Sequence, residues 1–334
     1  MLEILDRTQC APTPLVRFAL PESWGISLYL KNEAVLPSGS LKHRLARSLL
    51  RHGIISRAIT SSTVLVDASS GSTAISEAWF ARELGLRFVA VVPRSVSIEK
   101  VRLIEAYGGS VDYTPDATTV CARAAALGAQ DGWYFLDQFA LASTVTDYRD
   151  NNIASELFAQ LRTDPAAIIV GAGTGGTSAT IGRYIAHTSR DTRLTVVDPE
   201  GSAYFDAWHT GRMDVAAPGS RIEGIGRPRV EGSFMGSAID DVVRIDDALS
   251  VAAMQLLAST TGLTAGPSTG TNLAGALQVA QRMARAGETG TIITLACDSG
   301  ERYGSTFYNP EWLRQQGIDV ASASHRIHAA LDLV

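Results

Sequence analysis

Ala166-Ala-Ile-Ile-Val-Gly-Ala-Gly-Thr-Gly-Gly-Thr177 runs an apolar β-type segment directly into four glycines and then into a stretch of helical period. Four glycines in the six positions from Gly171 to Gly176 are conformationally costly unless another group must approach the backbone closely. The start of the following helix offers free N–H groups and the positive end of its dipole to an anion. A phosphate-binding turn is therefore the direct inference. The class of ligand stays open here. Gly171, Gly173 and Gly176 also satisfy G-x-G-x-x-G, and Asp198 ends the next apolar run where a ribose-binding acid stands in dinucleotide-binding proteins.

Outward from this turn, short β-branched runs alternate with helical patterns, which is the signature of β-α units on parallel sheets. The runs are 64–67, 88–92, 168–170, 194–197, 242–245 and 292–296. The helical patterns are 73–84, 98–107, 178–187, 249–259 and 273–286. The predicted fold is doubly wound α/β. At 334 residues the chain exceeds the usual single-domain size, so two lobes are expected. Residues 205–236, rich in Gly, Pro and Arg, read as one long loop, and the last twenty residues read as a possible helix.

Bulk properties exclude several classes. A net charge of -5 gives no basic surface for a nucleic acid backbone. The N-terminal residues lack a basic segment followed by an apolar one, and no apolar run approaches bilayer length, which points to a soluble cytoplasmic protein without a membrane partner. Cys10, Cys121 and Cys297 are odd in number and far apart, so neither a disulfide framework nor a structural zinc site is expected, and the thiols should be reduced and mostly buried. His325 and His328 lack a third ligand nearby, so no metal site is predicted.

Only Lys31, Lys42 and Lys100 among the 29 basic residues are lysines. Lys42 follows the small-residue loop Pro37-Ser-Gly-Ser-Leu41 and begins a predicted helix, with Ser40 available as its cap. An amine near a helix N-terminus meets an unfavourable dipole, which favours its neutral, nucleophilic form. A nicotinamide-dependent dehydrogenase has no need of such a group, and this separates the two readings of the glycine turn. A third signal is Asp67-Ala-Ser-Ser-Gly-Ser-Thr-Ala74, where hydroxyls and free N–H groups around one glycine suit a small carboxylate. The aromatics of 18–24 and 133–139 read as core. His43 reads as a helix-start residue facing solvent, and Arg227 and Arg229 as members of a loop near the site or as surface charges.

Together these segments resemble the fold-type II pyridoxal phosphate enzymes, specifically the cysteine synthase and cystathionine β-synthase group, from Thr13-Pro-Leu15 to about Tyr308. The resemblance implies two doubly wound lobes with mainly parallel sheets, similar to the tryptophan synthase β fold. It implies a smaller, mobile lobe over 43–145, a larger cofactor lobe from 1–42 and 146–315, and a tail over 316–334. It makes Lys42 the Schiff base residue and catalytic base. It assigns Gly173, Thr174, Gly175, Gly176 and Thr177 to the cofactor phosphate, and Ser268, in Gly266-Pro-Ser-Thr-Gly270, to the pyridine nitrogen. Ser69, Ser70, Gly71, Thr73 and Gln138 would bind the substrate carboxylate, and Asp298-Ser-Gly-Glu-Arg-Tyr303 matches the family's late signature.

Most cysteine synthases carry asparagine in the carboxylate loop, facing the cofactor's 3′-oxygen; this chain has Ser72. That serine, with Arg221-Ile-Glu-Gly-Ile-Gly-Arg-Pro-Arg229, looks more like the L-cysteine desulfhydrase branch. The implied chemistry is β-elimination from L-cysteine through an aminoacrylate to hydrogen sulfide, pyruvate and ammonia. Its alternative is β-replacement on a cysteine, serine or O-acetylserine type of substrate. The resemblance further implies a homodimer.

Overall fold

The computed structural model describes residues 1–332. The chain forms two compact units, one comprising Met1–Ala11 with Leu36–Thr146 and the other Pro12–Val35 with Asp147–Val334. Residues 1–11 and 36–42, grouped with the larger lobe by the sequence reading, thus cluster with the smaller one. The reason lies in packing: Leu5 is fully buried in the same core as Leu45, Leu49 and Leu50, and Arg47 Nε donates to the Leu5 carbonyl at 3.0 Å.

Ten strands are numbered in chain order: β1 (Leu15–Phe18), β2 (Ile26–Asn32), β3 (Val64–Ala68), β4 (Arg87–Pro93), β5 (Ser110–Thr114), β6 (Trp133–Phe135), β7 (Ala167–Gly171), β8 (Arg193–Pro199), β9 (Asp241–Ile245) and β10 (Gly290–Ala296). In the first unit they form a wholly parallel four-stranded sheet in the order β5-β4-β3-β6. In the second they form a six-stranded sheet ordered β1-β2-β10-β7-β8-β9, parallel except for the β1–β2 pair. These are the parallel α/β sheets expected from the alternating pattern. Every residue of β3 is buried, as is β8 after Arg193, because helices cover both faces of a parallel sheet.

The six strand runs and five helices legible in the sequence all form, with ends shifted by a few residues. The 205–236 segment is only partly a loop: Tyr204–Thr210 is a helix, with Tyr204 fully buried against Phe234. The cysteines are free, but only Cys297 is buried; Cys10 and Cys121 are half-buried. Val320–Asp332 is helical. Among the described residues no helix is long and apolar enough to cross a membrane.

Candidate active site

The glycine turn joins β7 to the helix Gly176–His187. Gly175 is the N-cap at φ +88°, in the left-handed region open to glycine, and a Cβ there would lie 2.7 Å from Phe234 Cα and from the Ser233 carbonyl oxygen. A Cβ on Gly173 would collide with the Gly224 carbonyl. The turn is therefore closed on one side by residues 224–234, part of the segment read from sequence as one long loop. Tyr204 clamps it further, its hydroxyl donating to the Gly173 carbonyl at 2.6 Å, and Gly226 N–H donates to the Ala172 carbonyl at 2.8 Å. Of the first N–H groups of the helix, that of Gly176 is taken by Thr174 Oγ1 at 3.2 Å. Those of Thr177 and Ser178 meet no acceptor among the described residues. A rigid backbone nest with N–H groups to spare fits a phosphate.

Asp198, the residue that kept a dinucleotide reading open, is committed elsewhere. It is fully buried, accepts from Phe205 N–H at 2.8 Å and from the Ser202 hydroxyl, and burial raises its pKa to about 6. It secures the turn after β8 and presents no carboxylate to a ribose.

Ser268 is the second residue of the helix Pro267–Arg285, which Pro267 starts with a preset φ. Its side chain is buried, at 3% exposure, and its hydroxyl has no hydrogen-bond partner among the described residues. A hydroxyl that no described residue engages is available to a ligand atom such as a ring nitrogen. The 298–303 signature buttresses this turn. Tyr303 donates to Asp298 Oδ2 at 2.7 Å, Ala265 bridges to Ser299, and Thr269 Oγ1 accepts from Cys297 N–H at 2.9 Å.

In the other unit, Lys42 is half-buried as the first residue of the helix Lys42–Ile55. Ser40 does not cap this helix. Leu41 is the N-cap with no side-chain hydrogen bond, and the buried Ser40 hydroxyl has no partner. Of the other lysines, Lys31 is wholly buried, with Nζ 2.6 Å from Glu156 Oε1 and 2.7 Å from Gln160 Oε1, so its amine is held as a structural cation. Lys100 lies partly exposed on the helix Ile98–Ala106.

His43 does not face solvent. It is 2% exposed, packed on Trp79 and Phe80 at ring separations of 4.9 and 4.5 Å, because the apolar stripe of its helix includes that position. Its Nδ1 lies 3.1 Å from Ser38 Oγ, which lies 2.8 Å from Ser76 Oγ, and Ser76 donates to the Ser72 carbonyl at 2.8 Å. The lysine helix and the Ser72 turn are thus tied by one chain of hydrogen bonds. Burial, aided by Arg44 and Arg47, lowers the His43 pKa from 6.5 to about 3. A folded-state value below the unfolded one means that stability is full above pH 6.5 and is lost as pH falls from there towards 3. His43→Gln should flatten this acid limb by about 2 kcal/mol or more, read from urea midpoints between neutral and mildly acidic pH.

The 69–73 loop follows β3 and opens the helix Ser72–Leu84, with Gly71 as N-cap in extended conformation. Ser69 Oγ accepts from Gly71 N–H at 3.4 Å and Ala74 N–H at 3.3 Å, while Thr73 N–H meets no acceptor among the described residues. Thr73 and Gln138, far apart in sequence, are brought together: Thr73 Oγ1 donates to Gln138 Oε1 at 2.8 Å, and Gln138 Nε2 donates to Asp67 Oδ2 at 3.0 Å. Ser69 and Ser70 are half-buried beside them. Arg227 and Arg229 both pair with the buried carboxylate of Glu231, at 2.8 and 3.3 Å, and so brace the 224–234 segment against which the glycine turn packs.

The chain matches the family described as pyridoxal-phosphate dependent enzyme over residues 7–298. It is 47% identical over 326 residues to the L-cysteine desulfhydrase Cds1 of Mycobacterium tuberculosis, covering 95% of this chain and 89% of that protein. It is 29% identical to a cysteine synthase of Dictyostelium discoideum, covering 94% and 86%. Among solved structures, O-ureido-L-serine synthase superposes with a TM-score of 0.80 at 30% identity, covering 91% of this chain and 93% of that one. An O-acetylserine dependent cystathionine beta-synthase from Helicobacter pylori superposes at 0.77 with 29% identity, covering 91% and 97%. By the match over residues 7–298 and the 47% identity along 95% of its length to one of these relatives, this chain belongs to the pyridoxal-phosphate dependent enzymes.

Proposed function

We propose that this chain is an L-cysteine desulfhydrase, converting L-cysteine and one water into hydrogen sulfide, pyruvate and ammonia. The observation that carries the reading is the 47% identity to an L-cysteine desulfhydrase along 95% of the chain. Bound pyridoxal phosphate supplies an electron sink for the charge left at Cα. Lys42 would hold the cofactor through Nζ and supply the general base for the Cα proton. The N–H groups of Thr177 and Ser178 and the positive end of their helix hold the phosphate. Ser268 meets the ring nitrogen as a neutral hydroxyl, which does not keep that nitrogen protonated and so favours loss of the β-thiol over proton return. The 69–73 loop, with Thr73 N–H at the helix start, receives the substrate carboxylate. A cytoplasmic homodimer is the working state that the family resemblance supports.

Ser72 bears on the fate of the intermediate. Serine is shorter than asparagine and leaves room for water or early release, which favours elimination over capture by a second nucleophile. The enzyme should release pyruvate and sulfide from L-cysteine with no added thiol. Ser72→Asn should lower elimination relative to replacement by about tenfold, one hydrogen bond's worth. Assaying pyruvate from cysteine alone beside cysteine formation from O-acetylserine and sulfide separates the outcomes. A wild type that makes cysteine readily and no pyruvate is a cysteine synthase, and the proposal is then wrong.

A further inference from the structure

Two carboxyl groups lie wholly buried behind the carboxylate loop: Asp67 at the end of β3 and Glu77 in the helix Ser72–Leu84. Asp67 Oδ2 accepts from Gln138 Nε2 and the Ala68 N–H favours the Asp67 carboxylate, whereas neither Glu77 oxygen receives an N–H or O–H from a residue other than Asp67. No arginine or lysine pairs with either among the described residues; the one hydrogen-bond partner Glu77 finds is the Asp67 carboxyl, which also faces the Gln138 amide and the Ala68 N–H. Two carboxylates in contact without a cation are untenable in a dry interior, whereas one shared proton converts repulsion into a charge-assisted hydrogen bond.

The surroundings decide which group keeps the proton. Asp67 receives the Gln138 N–H, which favours its charged form, whereas Glu77 receives no donor, and burial together with the Asp67 charge raises Glu77 well above the ordinary range. Among neighbouring groups, Asp137 disfavours a second negative charge on Asp67. His43, packed against the same helix as Glu77, is neutral, and Tyr134 on β6 is a phenol raised by burial. Arg123, on the helix packed against β3, is spent on Asp112. At neutral pH Glu77 is therefore the acid and Asp67 the carboxylate. That assignment orients Gln138, whose NH2 must face Asp67 and the Ala68 carbonyl, 3.0 and 3.5 Å away, leaving Oε1 to accept from Thr73.

We propose that Glu77 is a positioning residue, keeping its carboxyl proton and donating it in a hydrogen bond to the Asp67 carboxylate, so that Asp67 fixes the Gln138 amide and Gln138 fixes Thr73 where the loop receives a substrate carboxylate. The proposal rests on the reading of 69–73 as the carboxylate loop. It gives Gln138 a supporting role, since both its N–H groups are used internally.

The test compares Glu77→Leu, similar in size but without a donor, with Glu77→Gln, whose amide still donates. Glu77→Leu is expected to raise KM for L-cysteine about tenfold with kcat within about twofold, and Glu77→Gln to recover most of the loss. The hydrogen bond from Glu77 lowers the Asp67 pKa, so its loss raises that value. The rise in KM on acidification should then begin at higher pH in Glu77→Leu than in wild type. A purely structural role would lower thermal stability without moving this profile. Independently of activity or substrate, the infrared spectrum of the protein at neutral pH should show a protonated-carboxyl C=O band that both variants lack. Absence of that band in wild type, or a Glu77→Leu KM–pH profile coincident with wild type, overturns the proposal. If L-cysteine proves not to be the substrate, the band still decides the protonation, and hydrogen exchange at residues 69–74, faster in Glu77→Leu than in Glu77→Gln, decides the positioning.

Discussion

Lys42→Ala lowers pyruvate and sulfide production from L-cysteine by about 10³-fold or more while leaving the protein folded. Two losses combine: the amine that holds the cofactor covalently and the base that takes the Cα proton. Neither other lysine can take over. Lys31 Nζ is buried between Glu156, Gln160 and the Thr13 carbonyl, and Lys100 stands on a separate helix. The fold survives because Lys42 is the first residue of its helix and only half-buried, alanine has the highest helix propensity, and Leu45, Ala46, Leu49 and Leu50 keep their places in the core. Borohydride reduction should attach the cofactor to wild type and not to the variant, and the melting temperatures should agree within a few degrees. Near-wild-type turnover in Lys42→Ala would sink the proposed mechanism.

Gly175→Asp should cost both cofactor and stability. The carboxylate enters the space offered to the phosphate dianion at a helix N-terminus, which should weaken cofactor affinity by about 100-fold or more in equilibrium dialysis. Backbone strain adds to this. At φ +88° a side chain costs about 1–2 kcal/mol, and a Cβ 2.7 Å from Phe234 Cα and the Ser233 oxygen forces the 224–234 segment away for about 1–3 kcal/mol more. Gly175→Ala separates the two contributions: it brings the same φ and the same Cβ contacts without the carboxylate, so it should lower the melting temperature of the cofactor-free protein while weakening cofactor binding far less than Gly175→Asp. Unchanged affinity in Gly175→Asp would remove the phosphate assignment.

The strands read most securely from sequence are those buried on both faces. Val64-Leu-Val-Asp-Ala68 and Leu194-Thr-Val-Val197 declare themselves because a parallel sheet covered by helices needs near-continuous apolar runs. The strands missed lack that signal. β5 is largely exposed at a sheet edge, β6 has three residues, and β2 ends in Lys31 and Asn32, whose burial depends on Glu156 and on groups distant in sequence. His43 was misplaced for a related reason: a histidine beside arginines at a helix start looks solvated until Trp79 and Phe80, carried by another helix, are placed against it.

The sequence by itself determined the parallel α/β class and the family, and it singled out the glycine turn and Lys42 on which the proposed function rests, because each is written in a short contiguous motif whose chemistry is local. The tertiary structure alone decided what those motifs lean on. Residues 224–234 and Tyr204 wall the glycine turn, Asp198 is buried and bonded to the Phe205 N–H, and Asp67, Gln138 and Thr73 are joined by hydrogen bonds with Glu77 buried behind them. Partnering and burial are properties of residues far apart in the chain, and their free energies exist only once folding has removed water from between them.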